Sequence, residues 1–240
     1  MHSETIELQT PDGPMAAYIA LPGGEEDARG AIVVIQEAFG VNEHIEDVTR
    51  RFATAGYVAI APHLFHRAGG GTAPYGDFSK VMPLFEGLTD DGLLADVDAA
   101  TAHLEERGLD HHQIGIVGFC MGGRVSFLVA ARRPLGAAVG FYGGGIVTAR
   151  FPQFPPLIDE VPELKTPWLG LFGDQDESIP VEDVERLRDD LTERAPVPNS
   201  VVRYPNAGHG FHCDERDSFR EHAARDGWTR AMAWFEQHLR

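Results

Sequence analysis

Apolar residues along the chain form short continuous runs, and segments with helical periodicity separate most of them. Runs of this length that end near Gly or Pro are typical of buried strands. Six strands are predicted in this way, over residues 31–36, 57–62, 113–119, 137–142, 167–172 and 200–205. Ahead of them, runs 4–9 and 15–21 flank the turn sequence PDG, which predicts a hairpin.

The segments between the strands predict amphipathic helices. The first covers residues 42–55, with the Asn42 side chain as an N-cap acceptor. The second runs from Asp91 to Arg107. Its apolar positions fall on one side at helical spacing, namely Leu93, Leu94, Val97, Ala100 and Leu104. Further helices are predicted over residues 120–132, 181–193 and 215–238.

Apolar strands that alternate with helices predict an α/β fold: a mostly parallel sheet with helices on both faces. At 240 residues, the chain has the size of one such domain, and we expect it to cover residues 1–240. Residues 66–90 have weak periodicity and many Gly and Pro residues. This predicts a mobile loop excursion over the edge of the sheet where ligands bind, which is formed by the carboxyl ends of the strands.

Composition narrows the class of partner. The formal net charge is −17, with Lys80 and Lys165 as the only lysines. Nucleic acid and anionic membrane surfaces attract positive charge, so both are disfavoured as partners. No apolar run reaches the roughly 18 residues of a membrane span, and no signal-peptide pattern is evident. Because two cysteines give no disulfide framework, a cytoplasmic location is expected. The oligomeric state stays open.

The stretch GIVGFCMGG, residues 115–123, places Cys120 between a predicted strand and a predicted helix. A buried cysteine often serves only as a small core residue. The pattern G-x-C-x-G, however, matches the G-x-S-x-G turn that presents a nucleophile, with sulfur in place of the serine oxygen. A helix that begins at this turn would favour a thiolate there. We therefore interpret Cys120 as a candidate nucleophile.

The same turn predicts an acid and then a histidine later in the chain, each after a strand. Asp174 and Asp176 follow the strand at 167–172, and His209 lies in a glycine-bounded loop after the last strand. Each of these residues alone would be ordinary in a turn or loop. Their order and their strand-end positions together predict a catalytic triad, with either aspartate as its acid.

QEAFG, residues 36–40, follows the strand at 31–36, where a second oxyanion donor belongs. The backbone N–H groups of Ala38 and Met121 are therefore predicted to form an oxyanion hole. Glu37 lies beside this position. It is a candidate catalytic residue, and the alternative is a carboxylate that only stabilises the following helix.

QEAFG, GYVAIAP, GIVGFCMGG, FGDQDESIP and YPNAGHGF, in this order, resemble the dienelactone hydrolase family of α/β-hydrolases over roughly residues 5–238. The resemblance implies Cys120 as the nucleophile, His209 as the base and Asp176, rather than Asp174, as the orienting acid. It also implies that Glu37 helps to activate the thiol when substrate arrives. The substrate would be a small ester or lactone, cleaved by acyl transfer to water without a cofactor.

The chain departs from this family where the substrate carboxylate is held by two arginines. One of the matching positions is Cys213, and residues 68–106 contain no arginine and only Lys80. We therefore expect a pocket without a carboxylate clamp and a preference for neutral esters or lactones. Arg203 and Arg216 lie near the His209 loop in sequence, but neither falls on the matched position.

Two other functions remain open. A redox-active thiol protein would use Cys120 with Cys213 as its resolving cysteine, but this leaves Asp176 unexplained. A catalytically silent binding module on the same fold is the other alternative, and the intact order of the triad argues against it. The histidine spacings match no metal-site motif, and no cofactor fingerprint is present, so neither a metal nor a cofactor is expected.

Overall fold

The computed structural model describes residues 1–24 and 28–240. The strands in this part of the chain form one eight-stranded sheet with the order β1-β2-β4-β3-β5-β6-β7-β8. The strands are β1 (His2–Thr10), β2 (Gly13–Leu21), β3 (Ala31–Ile35), β4 (Val58–Pro62), β5 (Ile114–Phe119), β6 (Ala137–Phe141), β7 (Trp168–Gly173) and β8 (Asn199–Tyr204). Strand β1 pairs antiparallel with β2, and β2 pairs antiparallel with β4. The remaining pairs are parallel, so that β4, β3, β5, β6, β7 and β8 all run in the same direction.

The predicted hairpin and most predicted helices are confirmed. The hairpin closes with Thr10 opposite Gly13, whose φ of +112° suits glycine. Asn42 caps α1 by accepting a hydrogen bond from the Ile45 N–H at 3.2 Å. The helices are α1 (Glu43–Thr54), α2 (Phe78–Phe85), α3 (Asp90–Glu106), α4 (Met121–Arg132), α5 (Val181–Arg194) and α6 (Glu221–His238). None of the helices in the described ranges is long and apolar enough to cross a membrane.

Helices cover both faces of the sheet, as predicted. Gly115 and Gly118 of β5 are three residues apart, so they face opposite sides. A Cβ at Gly115 would meet the ring of Phe235 in α6, whereas one at Gly118 would meet the backbone of Gly122 in α4. Strands β3 to β7 are buried along their whole length. Continuous burial explains why their sequences are apolar without alternation.

The structure differs from the sequence prediction in residues 66–90, where it contains α2. This helix has two buried residues one turn apart, Val81 and Phe85. Phe85 packs against three aromatic rings at centroid distances of 5.3 to 6.4 Å, those of Phe65, Phe151 and Phe154. Tertiary packing therefore stabilises a helix that contains Pro83, although an internal proline removes a hydrogen bond and hides the helical pattern.

A buried ion pair anchors the beginning of the same segment. The carboxylate of Asp96 in α3 is fully buried. It accepts hydrogen bonds from Arg67 Nη1 at 2.7 Å and Nη2 at 2.8 Å. His66 Nε2 lies 3.0 Å from the same carboxylate. A charge-assisted network of this kind fixes the turn at 66–68 to α3.

The last helix begins at Glu221 rather than at residue 215, so that part of the prediction is wrong. Successive turns occupy the interval: Arg216 N–H donates to the Cys213 carbonyl and Phe219 N–H to the Arg216 carbonyl. Arg220 N–H donates to the Phe211 carbonyl at 3.0 Å. Arg216 consequently lies on a turn beside the His209 loop instead of on a helix.

Candidate active site

Cys120 lies between β5 and α4 in a strained backbone conformation. Its φ is +56°, a region that residues other than glycine rarely adopt. Glycines allow this turn to pack closely: a Cβ at Gly118 would overlap Gly122, and one at Gly122 would lie 2.5 Å from the Ile35 carbonyl oxygen. The turn therefore presents a partly exposed thiol at the carboxyl end of the sheet. Strain of this kind often marks functional positions.

His209 lies in the loop after β8 and connects Cys120 with Asp176. Its Nδ1 is 2.6 Å from Asp176 Oδ2 and 3.3 Å from Ser178 Oγ. Burial by itself would lower the pKa of His209. The negative charge of Cys120, the Asp176 hydrogen bond and a hydrogen bond to Cys120 outweigh burial and raise that pKa to about 10. This environment favours the imidazolium form.

The two candidate aspartates have different partners. Asp176 is buried, and its Oδ1 accepts hydrogen bonds from the Ser178 N–H at 2.9 Å and Oγ–H at 2.5 Å. Burial would raise the pKa of Asp176, but its bonds with His209 and Ser178 keep that pKa below its usual value. Asp174 instead accepts from Arg203 Nε at 2.7 Å and Nη2 at 2.9 Å. Only Asp176 therefore reaches His209.

Glu37 and Ala38 follow strand β3, and Met121 is the first residue of α4. Glu37 is fully buried, and its Oε1 accepts a hydrogen bond from Arg216 Nη1 at 3.1 Å. Its Oε2 has no hydrogen-bond partner within the described ranges. Ala38 and Met121 line the same cavity as Cys120. Their backbone N–H groups have no backbone acceptor in the described part of the chain.

The cavity that contains Cys120 has a volume of about 280 Å³. His209 and Ser178 are among the residues that line it. Apolar side chains make up much of the remaining wall, namely Phe78, Val81, Met82, Phe85, Phe151 and Phe154. Sequence reasoning did not predict Val81, Met82, Phe151 or Phe154 in this wall, because residues 66–90 have only weak helical periodicity and residues 151–154 lie far away in the chain.

Three arginines also line the cavity, which bears on the prediction of a pocket without a carboxylate clamp. Arg124 is paired with Asp90 by two hydrogen bonds of 2.6 and 3.0 Å. Arg216 is paired with Glu37. Arg150 has no carboxylate partner in the part of the chain that the structure describes, and it is exposed. Lys80 and Arg203 are not among the residues that line this cavity.

Cys213 lies outside the cavity lining. It is fully buried, and its thiol donates a hydrogen bond to the Tyr75 hydroxyl at 3.3 Å. Burial raises the pKa of Cys213 to about 11, which disfavours the reactive thiolate. Arg216, three residues later in the chain, lines the cavity, whereas Cys213 does not.

Comparison with known proteins agrees with this architecture. The protein-family model described as "Dienelactone hydrolase family" matches residues 15–239 of this chain. A Salmonella typhimurium protein named "Putative carboxymethylenebutenolidase" is 42% identical over 231 residues, which cover 93% of this chain and 83% of that protein. A carboxymethylenebutenolidase of Pseudomonas putida is 30% identical over 216 residues, covering 88% of this chain and 86% of that protein.

A solved structure extends the similarity to three dimensions. The crystal structure of a "Putative Dienelactone Hydrolase" from Klebsiella pneumoniae has a TM-score of 0.89 and 39% sequence identity to this chain. The match covers 99% of this chain and 100% of that one. The chain therefore belongs to the dienelactone hydrolase family, and it is an ester or lactone hydrolase with the α/β-hydrolase fold.

Proposed function

We propose that the chain hydrolyses small esters or lactones by acyl transfer through Cys120. The observation that supports this most strongly is that Cys120 and His209 line one cavity while Asp176 binds the far nitrogen of His209. A nucleophile, a base and an orienting acid in this order form the usual arrangement for covalent acyl transfer. A small ester or lactone is the expected partner.

In the proposed reaction, the Cys120 sulfur attacks the ester carbonyl while His209 holds the proton of the thiol. The raised pKa of His209, about 10, favours an imidazolium opposite a thiolate. His209 then gives its proton to the departing alkoxide, and a thioester remains on Cys120. Water attacks this thioester with His209 as the base, which releases the acid and restores the thiol.

The oxygen that becomes negative would be bound by the N–H groups of Ala38 and Met121. Met121 is the first residue of α4, where unpaired N–H groups and the helix dipole stabilise negative charge. Removing one such donor costs about 10²–10³ in rate in other hydrolases.

We assign Glu37 a role in activating the thiol. Its Oε2 has no partner among the described residues, so it can accept a hydrogen bond when a substrate changes the position of Cys120. Arg216 compensates the charge of Glu37 at 3.1 Å, which lowers the cost of burying it.

The test is substitution of Cys120. The Cys120→Ala variant should lose hydrolysis of p-nitrophenyl acetate and keep its far-ultraviolet circular dichroism and melting temperature. Cys120→Ser should retain little activity, because a hydroxyl needs a stronger base than a thiol. The Cys213→Ala variant is the matched control and should keep its turnover. Turnover by Cys120→Ala similar to that of the wild type would contradict the proposal. If treatment with peroxide abolished turnover in Cys213→Ala but not in the wild type, the redox alternative would be favoured.

A further inference from the structure

Two large apolar side chains of α2 are exposed to solvent. Phe78 is 59% exposed and Met82 is 47% exposed. Apart from Met1, they are the only exposed large hydrophobic residues that the described ranges contain. They are four residues apart, so they lie on the same side of the helix. Adjacent exposed apolar side chains of this size usually mark a binding surface.

Both side chains belong to the cavity of Cys120 rather than to a separate surface. Phe78 and Met82 line it together with Ala38, Cys120 and His209. The Phe78 ring lies 5.8 Å from the ring of Phe39, the residue after Ala38. The exposed face of α2 is therefore continuous with the wall of the cavity that holds the reacting atoms.

Two buried residues on the adjoining part of the same helix face anchor α2 in the fold. Val81 and Phe85 are 2% exposed, and Phe85 packs on Phe151 with ring centroids 5.3 Å apart. These buried anchors place Phe78 and Met82 beside the cavity without a substrate. Their apolar surface is then available to contact one that enters.

Resting on the function proposed above, we propose that Phe78 and Met82 bind an apolar substituent of the substrate, an aryl group or an alkyl chain of several carbons. Covering such a group removes apolar surface of both partners from water, which is favourable. A hydrolase with this surface would act on esters that have a hydrophobic acyl or alcohol group. Each methylene that is fully covered would raise kcat/KM about fourfold.

The experiment compares two substrate series. One is p-nitrophenyl acetate, butyrate and hexanoate, and the other is ethyl, butyl and hexyl acetate. The enzymes are the wild type, Phe78→Ala, Met82→Ala, the double variant and Lys80→Ala. Lys80 is the matched control because it is exposed on the same helix, contacts Asp77 at 3.7 Å and does not line the cavity.

For the wild type, kcat/KM should rise with chain length in at least one series, which identifies the acyl or the alcohol side as the bound group. In the double variant this slope should flatten, with a loss of tenfold or more for the longest substrate and a smaller loss for the shortest. Lys80→Ala should keep the slope of the wild type. Equal losses for all chain lengths, or an unchanged slope in the double variant, would overturn the proposal.

Cys120→Ala separates this inference from the function on which it rests. If Cys120→Ala keeps its turnover, the nucleophile is assigned wrongly, and the slope still reports on Phe78 and Met82. If Cys120→Ala is inactive and the slope is insensitive to the double variant, only the apolar surface is refuted. Phe78→Leu, which restores apolar area without the ring, should recover part of the slope.

Discussion

Replacing Asp176 with Asn tests how His209 is oriented. Asp176 Oδ1 accepts two donors from Ser178, its N–H and its hydroxyl. An asparagine at this position would keep its oxygen toward the Ser178 N–H and turn its NH₂ group toward His209 Nδ1. Nδ1 would then have to be the acceptor, so the proton would lie on Nε2. A neutral imidazole in this tautomer cannot take the proton of Cys120.

The expected loss in kcat/KM is large. A wrong tautomer in a serine triad costs about 10⁴-fold, equivalent to about 5 kcal/mol in the barrier. The pKa of His209 should also fall from its value of about 10, because the Asp176 hydrogen bond and charge contribute to raising it. The assay is the pH profile of kcat/KM for p-nitrophenyl acetate between pH 5 and 10, with unfolding measured in parallel.

Asp174→Asn is the matched control, two residues away in the same loop. Asp174 contacts Arg203 rather than His209, and its side chain is 20% exposed. A partly exposed ion pair contributes about 0–1 kcal/mol to stability, so its loss should leave kcat/KM near that of the wild type. A loss of less than tenfold in Asp176→Asn, or equal losses in both variants, would refute the assignment of Asp176.

Three further predictions concern substrate charge and stability. Arg150→Ala should lower about tenfold the ratio of kcat/KM for a carboxylated lactone to kcat/KM for its methyl ester. Tenfold corresponds to the lower end of the free energy that a hydrogen bond to a charged group contributes. An unchanged ratio would exclude a contact between Arg150 and the substrate carboxylate. Because burial lowers the pKa of His212 to about 3, its stabilising contribution is complete above pH 6.5 and is lost as pH falls from 6.5 toward 3. Urea unfolding should therefore show about 2 kcal/mol less stability at pH 5 than at pH 8 from this residue, and His212→Phe should lack that component. Asp96→Asn should cost about 3–5 kcal/mol of unfolding free energy, since Arg67 would lose its buried partner; a cost below about 1 kcal/mol would contradict that role for the ion pair.

The sequence predicts those elements that are determined by a local motif or by a periodic pattern of apolar residues. Strands β3 and β5 are read from continuous apolar runs, because a sheet covered on both faces requires them. The position of Cys120 follows from glycines that only a tight strand-to-helix turn needs. The order of Asp176 and His209 after strand ends follows from the topology of a parallel sheet.

Features that depend on tertiary packing could not be predicted in this way. Helix α2 contains Pro83 and is stabilised by rings from distant segments, so its own sequence gives a weak signal. Arg150 lies after Gly143–Gly145, a stretch without periodicity, and only the folded chain brings it to the cavity. Arg216 was predicted inside the last helix, and turns that end at Arg220 place it beside Glu37 instead.

The most direct test of the central proposal is the detection of an acyl group on Cys120. The enzyme is mixed with a slowly hydrolysed ester, the reaction is quenched in acid, and the digested protein is analysed by mass spectrometry. The expected result is a Cys120 peptide whose mass is increased by the acyl group minus the displaced thiol hydrogen. The corresponding peptide of Cys120→Ala should carry no acyl group. Acylation of another residue, or wild-type turnover without any acylated Cys120 peptide during the steady state, would contradict a cysteine nucleophile.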